Sequence, residues 1–317
     1  MKPYRVSLTT KLKPPQSGLI AIEPEDYTDK EIAALKKSGA KVLAYLSVGS
    51  VSNERSYYRQ LRPYALKKLE NWEHERYLDL TRHEVRKFMQ DKAKELKDRG
   101  FDGWWLDNID VYEEYRTTEM FTALVNTLRA IKAVGGYVML NGGIVFITDL
   151  LAPHKVQLGA YSKSANAQKV KKSLKAKGFP AAIIDMDGLH KVQSGAYSLQ
   201  DNADNAVRKL HEAGFTSAKR ITLYDGRAST FINGVTQEEV FSLIVDYDKE
   251  EDGKKGIFGV QEKAESERYQ SHMRRVRKSG IEGYLLEYTR DNTLKLRIKA
   301  FCDTFDLTAC ISDDKDL

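Results

Sequence analysis

Asp107 and Asp110 close the segment Gly100-Phe101-Asp102-Gly103-Trp104-Trp105-Leu106-Asp107-Asn108-Ile109-Asp110. A short apolar run follows a helix-ending glycine and stops abruptly in carboxylates and an amide. Surface strands alternate apolar and polar residues, and this run does not. It reads as a buried parallel strand that delivers polar groups at its carboxyl end. The plainer alternative is a strand end whose aspartates start the next helix. Other apolar runs stop in the same way: at Glu23, Glu25 and Asp26; at Ser47 and Gly49; at Asp79; at Asn141; at Glu238 and Glu239; and at Glu287 and Tyr288. Carboxylates dominate these ends. No Ser-His-Asp set, phosphate-cradling glycine loop or dinucleotide fingerprint accompanies them. Paired carboxylates without such signatures point to glycosidic bonds, where one carboxyl protonates the leaving oxygen and the other attacks the anomeric carbon or activates water. Trp104, Trp105, Tyr45, Tyr112 and Tyr288 could stack on sugar rings, although barrel filling is the favoured reading for Trp104.

The elements that must position these groups alternate. Strand-like runs fall at 19–22, 42–48, 77–80, 103–108, 137–141, 231–235, 283–288 and 308–312, with helical stretches at 29–38, 84–99, 117–134, 264–279 and 292–305. Thr81 to Glu84 has capping-box spacing. Gly39, Gly100 and Gly280 each stand where a helix should end. Strands alternating with helices predict an α/β fold with a parallel sheet.

Composition narrows the classes. The chain has 317 residues, 41% of them apolar, enough for a sizeable core. No run of about 18 apolar residues exists, so no membrane span is expected. The amino-terminal residues Met1 to Leu8 lack the apolar core of a secretory signal. Cys302 and Cys310 form no disulfide framework, leaving buried thiols or a single bridge, and six histidines form no ligand set. No metal and no cofactor is expected.

The middle of the chain repeats itself. His154-Lys155-Val156-Gln157-Leu158-Gly159-Ala160-Tyr161-Ser162 returns 36 residues later as His190-Lys191-Val192-Gln193-Ser194-Gly195-Ala196-Tyr197-Ser198, and the same offset carries Asn166-Ala167 onto Asn202-Ala203 and Gly178-Phe179 onto Gly214-Phe215. Each unit reads as strand, helix, strand, with the first helix at 165–177 and the next strand at 180–184, so that two units make βαββαβ. Residues 154–224 carry a net charge of +7 and the remainder of the chain −1. A basic module favours anionic polymers, although a solvated lysine-rich face reads equally well. Its basic residues are mostly lysine, which argues against nucleic acid.

This module resembles the SPOR domain, on the paired Val-Gln-x-Gly-Ala-Tyr strands, the Asn-Ala helix starts and the Gly-Phe turns. The resemblance implies binding to bacterial peptidoglycan, to glycan strands stripped of their stem peptides. Gln157, Tyr161, Gln193 and Tyr197 become candidate sugar contacts, with the proviso that alternating strand residues send some of them into the core.

Without residues 154–224, 246 residues remain, close to the roughly 250 of a (β/α)8 barrel. Val42-Leu43-Ala44-Tyr45-Leu46-Ser47-Val48-Gly49, Tyr77-Leu78-Asp79-Leu80-Thr81 and the segment 100–110 follow one another. Asn141-Gly142-Gly143, Gly234-Val235-Thr236-Gln237-Glu238-Glu239-Val240-Phe241 and Leu285-Leu286-Glu287-Tyr288 come later. In this order the motifs resemble glycoside hydrolase family 114, the endo-α-1,4-polygalactosaminidase-like barrels. The resemblance implies Asp107 as nucleophile or base and Glu238 as general acid. Glu239 is the rival, but adjacent strand residues face opposite ways. Asp26, Tyr45, Asp79, Asp110, Asn141, Glu287 and Tyr288 are expected to bind substrate or support the pair. Where many relatives have Gly-Glu-Ala, this chain has Gly49-Ser50-Val51, which bears on substrate identity.

The expectation is thus a (β/α)8 TIM-type barrel at 1–153 and 225–317, interrupted by a small α+β SPOR-like domain at 154–224. It would be an endo-acting glycosidase on a bacterial cell-wall or exopolysaccharide glycan, working at the wall of a bacterium and held on peptidoglycan by the insert. A phage or bacterial lysin would fit. The competing expectation is a non-catalytic wall-binding protein on a degenerate barrel. Whether the insert leaves the barrel beside the active site or opposite it is open at this level.

Overall fold

Eight parallel strands pair in chain order: Tyr4–Ser7, Gly18–Ile22, Ala40–Ser47, Gly103–Asp107, Tyr137–Asn141, Gly234–Glu238, Glu282–Tyr288 and Thr308–Ser312. The first and the eighth lie beside each other, so the sheet curls nearly closed into a barrel. This computed structural model describes residues 3–70, 72–251 and 253–317, so Met1 and Lys2 of the amino-terminal segment read above lie outside the described residues.

The barrel interior follows from the period-two alternation of strand side chains. Tyr4, Val6, Leu19, Ala21, Leu43, Trp105, Met139, Leu286, Tyr288 and Cys310 form one buried cluster drawn from seven of the strands. The remaining strand contributes Thr236, whose hydroxyl lies 2.9 Å from the Tyr4 hydroxyl. Trp105 donates its indole N–H to Tyr4 at 3.0 Å, and Trp104 faces the other way and donates to the carbonyl of Ala93 at 3.1 Å. Both indoles are core, as Trp104 was expected to be.

Helices flank the strands as the alternation predicts. Asp29–Lys37 begins at a capping box in which Thr28 and Glu31 satisfy each other's backbone N–H groups. The box expected at Thr81 and Glu84 does not form. The helix His83–Asp98 starts at Arg82 without a side-chain cap, because the Thr81 hydroxyl is spent on Asp79. That helix buries Val85, Met89, Ala93 and Leu96, a stripe at three- and four-residue spacing. Gly39, Gly100 and Gly280 end helices at φ of 107°, 104° and 84°, where a side chain would be strained.

Two strand assignments from sequence change. The run at 77–80 is not a barrel strand: Glu75–Leu78 pairs antiparallel with Ser50–Ser52 and Ala65–Lys68 in a separate three-stranded sheet. The missing eighth barrel strand is Tyr4–Ser7, which has only four residues and went unread. The run at 231–235 is shifted, and the strand there is Gly234–Glu238.

Contacts divide the chain into two compact units. One holds the chain up to Ile109, Thr127–Gly142 and Ser229–Leu317; the other holds Asp110–Asn126 and Gly143–Ala228. The second contains a four-stranded antiparallel sheet in the order Ala182–Met186, Leu189–Tyr197, His154–Tyr161, Lys219–Thr222, with helices Ser164–Ala176 and Gln200–Glu212. This is the βαββαβ pattern of the repeat, built on a core of Val156, Leu158, Ala167, Leu174, Val192, Ala203, Leu210 and Ala218. The unit is wider than 154–224 because the module grips chain on either side of it. Lys155 pairs with Asp149 of the helix Ile144–Leu151 at 2.8 Å, Arg116 pairs with the same carboxylate at 2.8 Å, and Asp187 accepts from the backbone N–H of Thr118 at 2.6 Å.

Candidate active site

Five neighbouring barrel strands each send one inward side chain to the layer directly above the apolar core. Two residues beyond Leu43, Trp105, Met139, Thr236 and Leu286 stand Tyr45, Asp107, Asn141, Glu238 and Tyr288. Strand periodicity therefore dictates that these five face the same mouth of the barrel.

They form a continuous hydrogen-bonded row in strand order. Tyr45 donates its hydroxyl to Asp107 Oδ2 at 3.1 Å. Asn141 Nδ2 donates to Asp107 Oδ1 at 3.0 Å and to Glu238 Oε1 at 2.7 Å. Tyr288 donates to Glu238 Oε2 at 3.1 Å. The two bonds to a single nitrogen cap the separation of the bonded carboxylate oxygens at their sum, 5.7 Å.

Glu238 keeps part of its surface open while its carboxyl sits deep in the row. Burial pushes that carboxyl up to about 7, and the negative charge of Asp107 adds to the shift, whereas the bonds from Asn141 and Tyr288 oppose it. It can therefore hold a proton near neutral pH. Burial and the neighbouring carboxylates also raise both tyrosines far above the usual phenol range, so each keeps its proton and acts as a donor. The row thus pairs a protonatable acid with a second carboxylate close by, which is the equipment for acid-assisted displacement at an acetal carbon.

The rival Glu239 is turned away. Its φ of 55° swings the chain out of the strand, and its carboxylate accepts from the backbone N–H of Ile244 at 2.7 Å. Asn108, at φ 59°, leaves its strand similarly and donates to the Ser47 hydroxyl at 2.9 Å.

Several expected contacts are placed elsewhere. Glu287 lies between the inward-facing Leu286 and Tyr288, has opposite parity and is fully buried. Its carboxylate accepts from the N–H groups of Phe241 and Ser242 and from the Ser242 hydroxyl, at 2.6 to 3.2 Å, so it holds the loop after Glu238 and has no face to offer a substrate. Burial raises it to about 7 against those bonds. Asp79 is engaged in the turn ahead of the helix His83–Asp98, accepting from Thr81 N–H at 3.1 Å and from Arg82 at 3.0 Å. Asp26 is exposed on a short 3-10 turn, and neighbouring Glu23 is the carboxylate that receives both nitrogens of Arg55, at 2.7 and 2.8 Å. Asp110 belongs to the second compact unit, where its carbonyl accepts from Glu113 and Glu114. Tyr112, fully buried there against Phe121 and Phe146, is core.

In the module, Gln157 is buried and Gln193 half-buried. Tyr161 and Tyr197 pack against the module core, and each lies over the glycine two residues before it: a Cβ on Gly159 or Gly195 would come within 2.4 or 2.7 Å of the tyrosine hydroxyl. The Gly-Ala-Tyr pattern is thus a packing device in both half-repeats.

One carboxylate near the row escaped the sequence reading. Glu75 accepts from the Ser50 hydroxyl at 2.6 Å, and Ser50 in turn bonds Ser47 at 2.8 Å. Ser50 therefore has a carboxylate beside it, supplied from another strand. The only signal in the sequence was the serine itself.

On this fold and the family matches that follow, the chain is a glycosidase. Residues 4–150 match the model of glycoside-hydrolase family GH114, and residues 152–219 match that of the SPOR domain. Residues 4–150 are thus similar to family GH114, and residues 152–219 to the SPOR domain. No curated protein matches the chain. Among solved structures it is similar to the glycoside hydrolase domain of PelA from Pseudomonas aeruginosa, at 14% identity and a TM-score of 0.60 over 98% of this chain and 94% of that one. It is also similar to Ega3 of Aspergillus fumigatus in complex with galactosamine, at 13% identity and a TM-score of 0.61 over 100% of this chain and 92% of that one. These two likenesses concern the fold.

Proposed function

We propose that the protein cleaves a glycan chain internally by double displacement, with Asp107 as nucleophile and Glu238 as acid and then base. The observation that carries this is the single Asn141 amide bonded to both carboxylates, which holds their nearest oxygens within 5.7 Å. Retaining enzymes place the pair about 5–5.5 Å apart, whereas inverting enzymes need about 6.5–9.5 Å to admit a water. Glu238, raised to about 7, supplies the proton to the departing oxygen. Asp107, receiving two hydrogen bonds, is the group left to attack.

The substrate class is a bacterial cell-wall or exopolysaccharide glycan, and the galactosamine in the Ega3 complex makes a galactosamine-containing polymer the first candidate. The SPOR-like module holds the enzyme on peptidoglycan, which raises its concentration at an insoluble substrate without adding catalytic contacts. In this reading residues 1–153 and 225–317 are the catalytic barrel, 154–224 the anchor, and the site of action is the bacterial cell wall.

The test is release of reducing ends from a galactosamine polymer, from purified cell walls and from peptide-stripped glycan strands, with Asp107→Asn and Glu238→Gln alongside wild type. Proton NMR of the first product reads its anomeric configuration. Hydrolysis abolished by both substitutions, with retention, supports the reading. Inversion would remove Asp107 as nucleophile. Wall binding with no turnover of any polymer would replace the enzyme with a binding protein.

A further inference from the structure

We infer that Asn141 is the positioning residue of the site, a single amide that sets the spacing and orientation of the two carboxylates. The inference rests on the two-carboxylate reading of Asp107 and Glu238. Its strand, Tyr137–Asn141, lies between the strands that end in those two residues. From that place one NH2 group reaches both neighbours, at 3.0 and 2.7 Å, with its two hydrogens held in a fixed planar fork.

Three further features fit a part shaped for the reaction and not for the fold. The Asn141 carbonyl oxygen is buried without a hydrogen-bond partner, whereas an amide kept for stability would use both ends. The residue is only 8% exposed, so the fork cannot swing out to water. Its backbone is pinned as well: Gly142 N–H donates to the Thr236 carbonyl at 2.9 Å, and Gly142 and Gly143, at φ 63° and 74°, turn the chain away at once. A glutamine here would displace the fork by about 1.5 Å, one C–C bond, and lose one or both contacts.

The charge surroundings are defined on every side. Glu238 faces Asp107 and Asn141 on one flank and Tyr288 on the other, Tyr4 and Cys310 from the barrel interior, and Glu239 and Tyr247 from the chain that follows. Only Asn141 and Tyr288 among these give it a hydrogen bond that favours the charged form.

The experiment uses Asn141→Leu, near in volume and lacking donors, and Asn141→Ala in case the leucine does not fit. The Glu238 titration midpoint is read by carbon-13 NMR of carboxyl-labelled glutamate, assigned through Glu238→Gln, and needs no substrate. Loss of the fork should raise that midpoint by about one unit. With a galactosamine polymer, kcat should fall about 10²- to 10³-fold with KM little changed. A midpoint unmoved in both variants overturns the inference, and so does a rise in KM alone, which would make Asn141 a substrate contact. If the midpoint moves while the wild type cleaves no glycan, the proposed hydrolysis fails and the hold of the amide on the pair stands.

Discussion

Tyr288→Phe removes one hydrogen bond from Glu238 and little else, because the ring remains to pack beside Phe258, 6.1 Å away between centroids. The lost bond, 3.1 Å long, stabilises the ionised carboxylate. A hydrogen bond to a charged group contributes about 1.5 kcal/mol at the lower end, and one pKa unit corresponds to about 1.4 kcal/mol. Its loss should raise Glu238 by about one unit, from about 7 toward 8. Glu238 must be protonated to act as the acid, so activity is present below its pKa and is lost as pH rises through it. The alkaline limb of kcat/KM should therefore move up by about one unit, and the variant should lose proportionally less activity than wild type between pH 7 and 8. Reducing-end release measured from pH 5 to 9 reads this directly. An alkaline limb that stays in place, or moves down, would refute the assignment of Glu238 as the acid under the control of Tyr288.

Other consequences concern stability. Glu287→Ala leaves the buried N–H groups of Phe241 and Ser242 without their acceptor and should cost about 3 kcal/mol in urea denaturation, whereas a loss under 1 kcal/mol would mean the loop does not depend on that carboxylate. His272 is fully buried with neither ring nitrogen bonded, and burial lowers it to about 3 from 6.5. The unfolded chain thus binds the extra proton first, so stability is intact above pH 6.5 and declines as pH falls toward 3, by up to about 1.4 kcal/mol per unit. His272→Leu should flatten that decline in thermal melts, and an unchanged slope would locate the acid sensitivity elsewhere. Lys155→Met leaves the buried carboxylate of Asp149 to Arg116 and the Tyr112 hydroxyl and should destabilise the second unit by about 3 kcal/mol, while adding Asp149→Leu should recover part of the loss; equal losses for single and double variants would mean the ion pair is not coupled.

Much of the architecture was legible because local patterns carry it. The offset of 36 residues exposed the βαββαβ module, since a repeat preserves both helix and strand phases at once. Gly39, Gly100 and Gly280 marked helix ends because only glycine takes those φ values without strain. The four-residue strand Tyr4–Ser7 was missed because its pattern is too short to stand out. Glu75–Leu78 was misassigned because an apolar run does not say which sheet it will join. Asp79 and Asp26 ended apolar runs as Asp107 does, yet the first holds the turn ahead of a helix and the second lies exposed on a turn.

What the sequence alone determined is what depends on neighbours along the chain: the strands that end at Asn141 and Tyr288 and, within one residue, at Asp107, the helices between most of them, and the repeat. The run at 231–235 stopped short of the strand that carries Glu238. The sequence also required that only one of Glu238 and Glu239 could face the barrel mouth, because adjacent strand side chains oppose each other. Which of the two does so was decided by the register of Gly234–Glu238 against its neighbours and by the left-handed turn at Glu239. The same register sent Glu287 outward to hold a loop. Proximity of Asp107, Asn141 and Glu238, up to 131 residues apart in the chain, exists only once parallel strands lie side by side. The raised acidity constant of Glu238 exists only once folding has removed water from around its carboxyl and set a second carboxylate next to it.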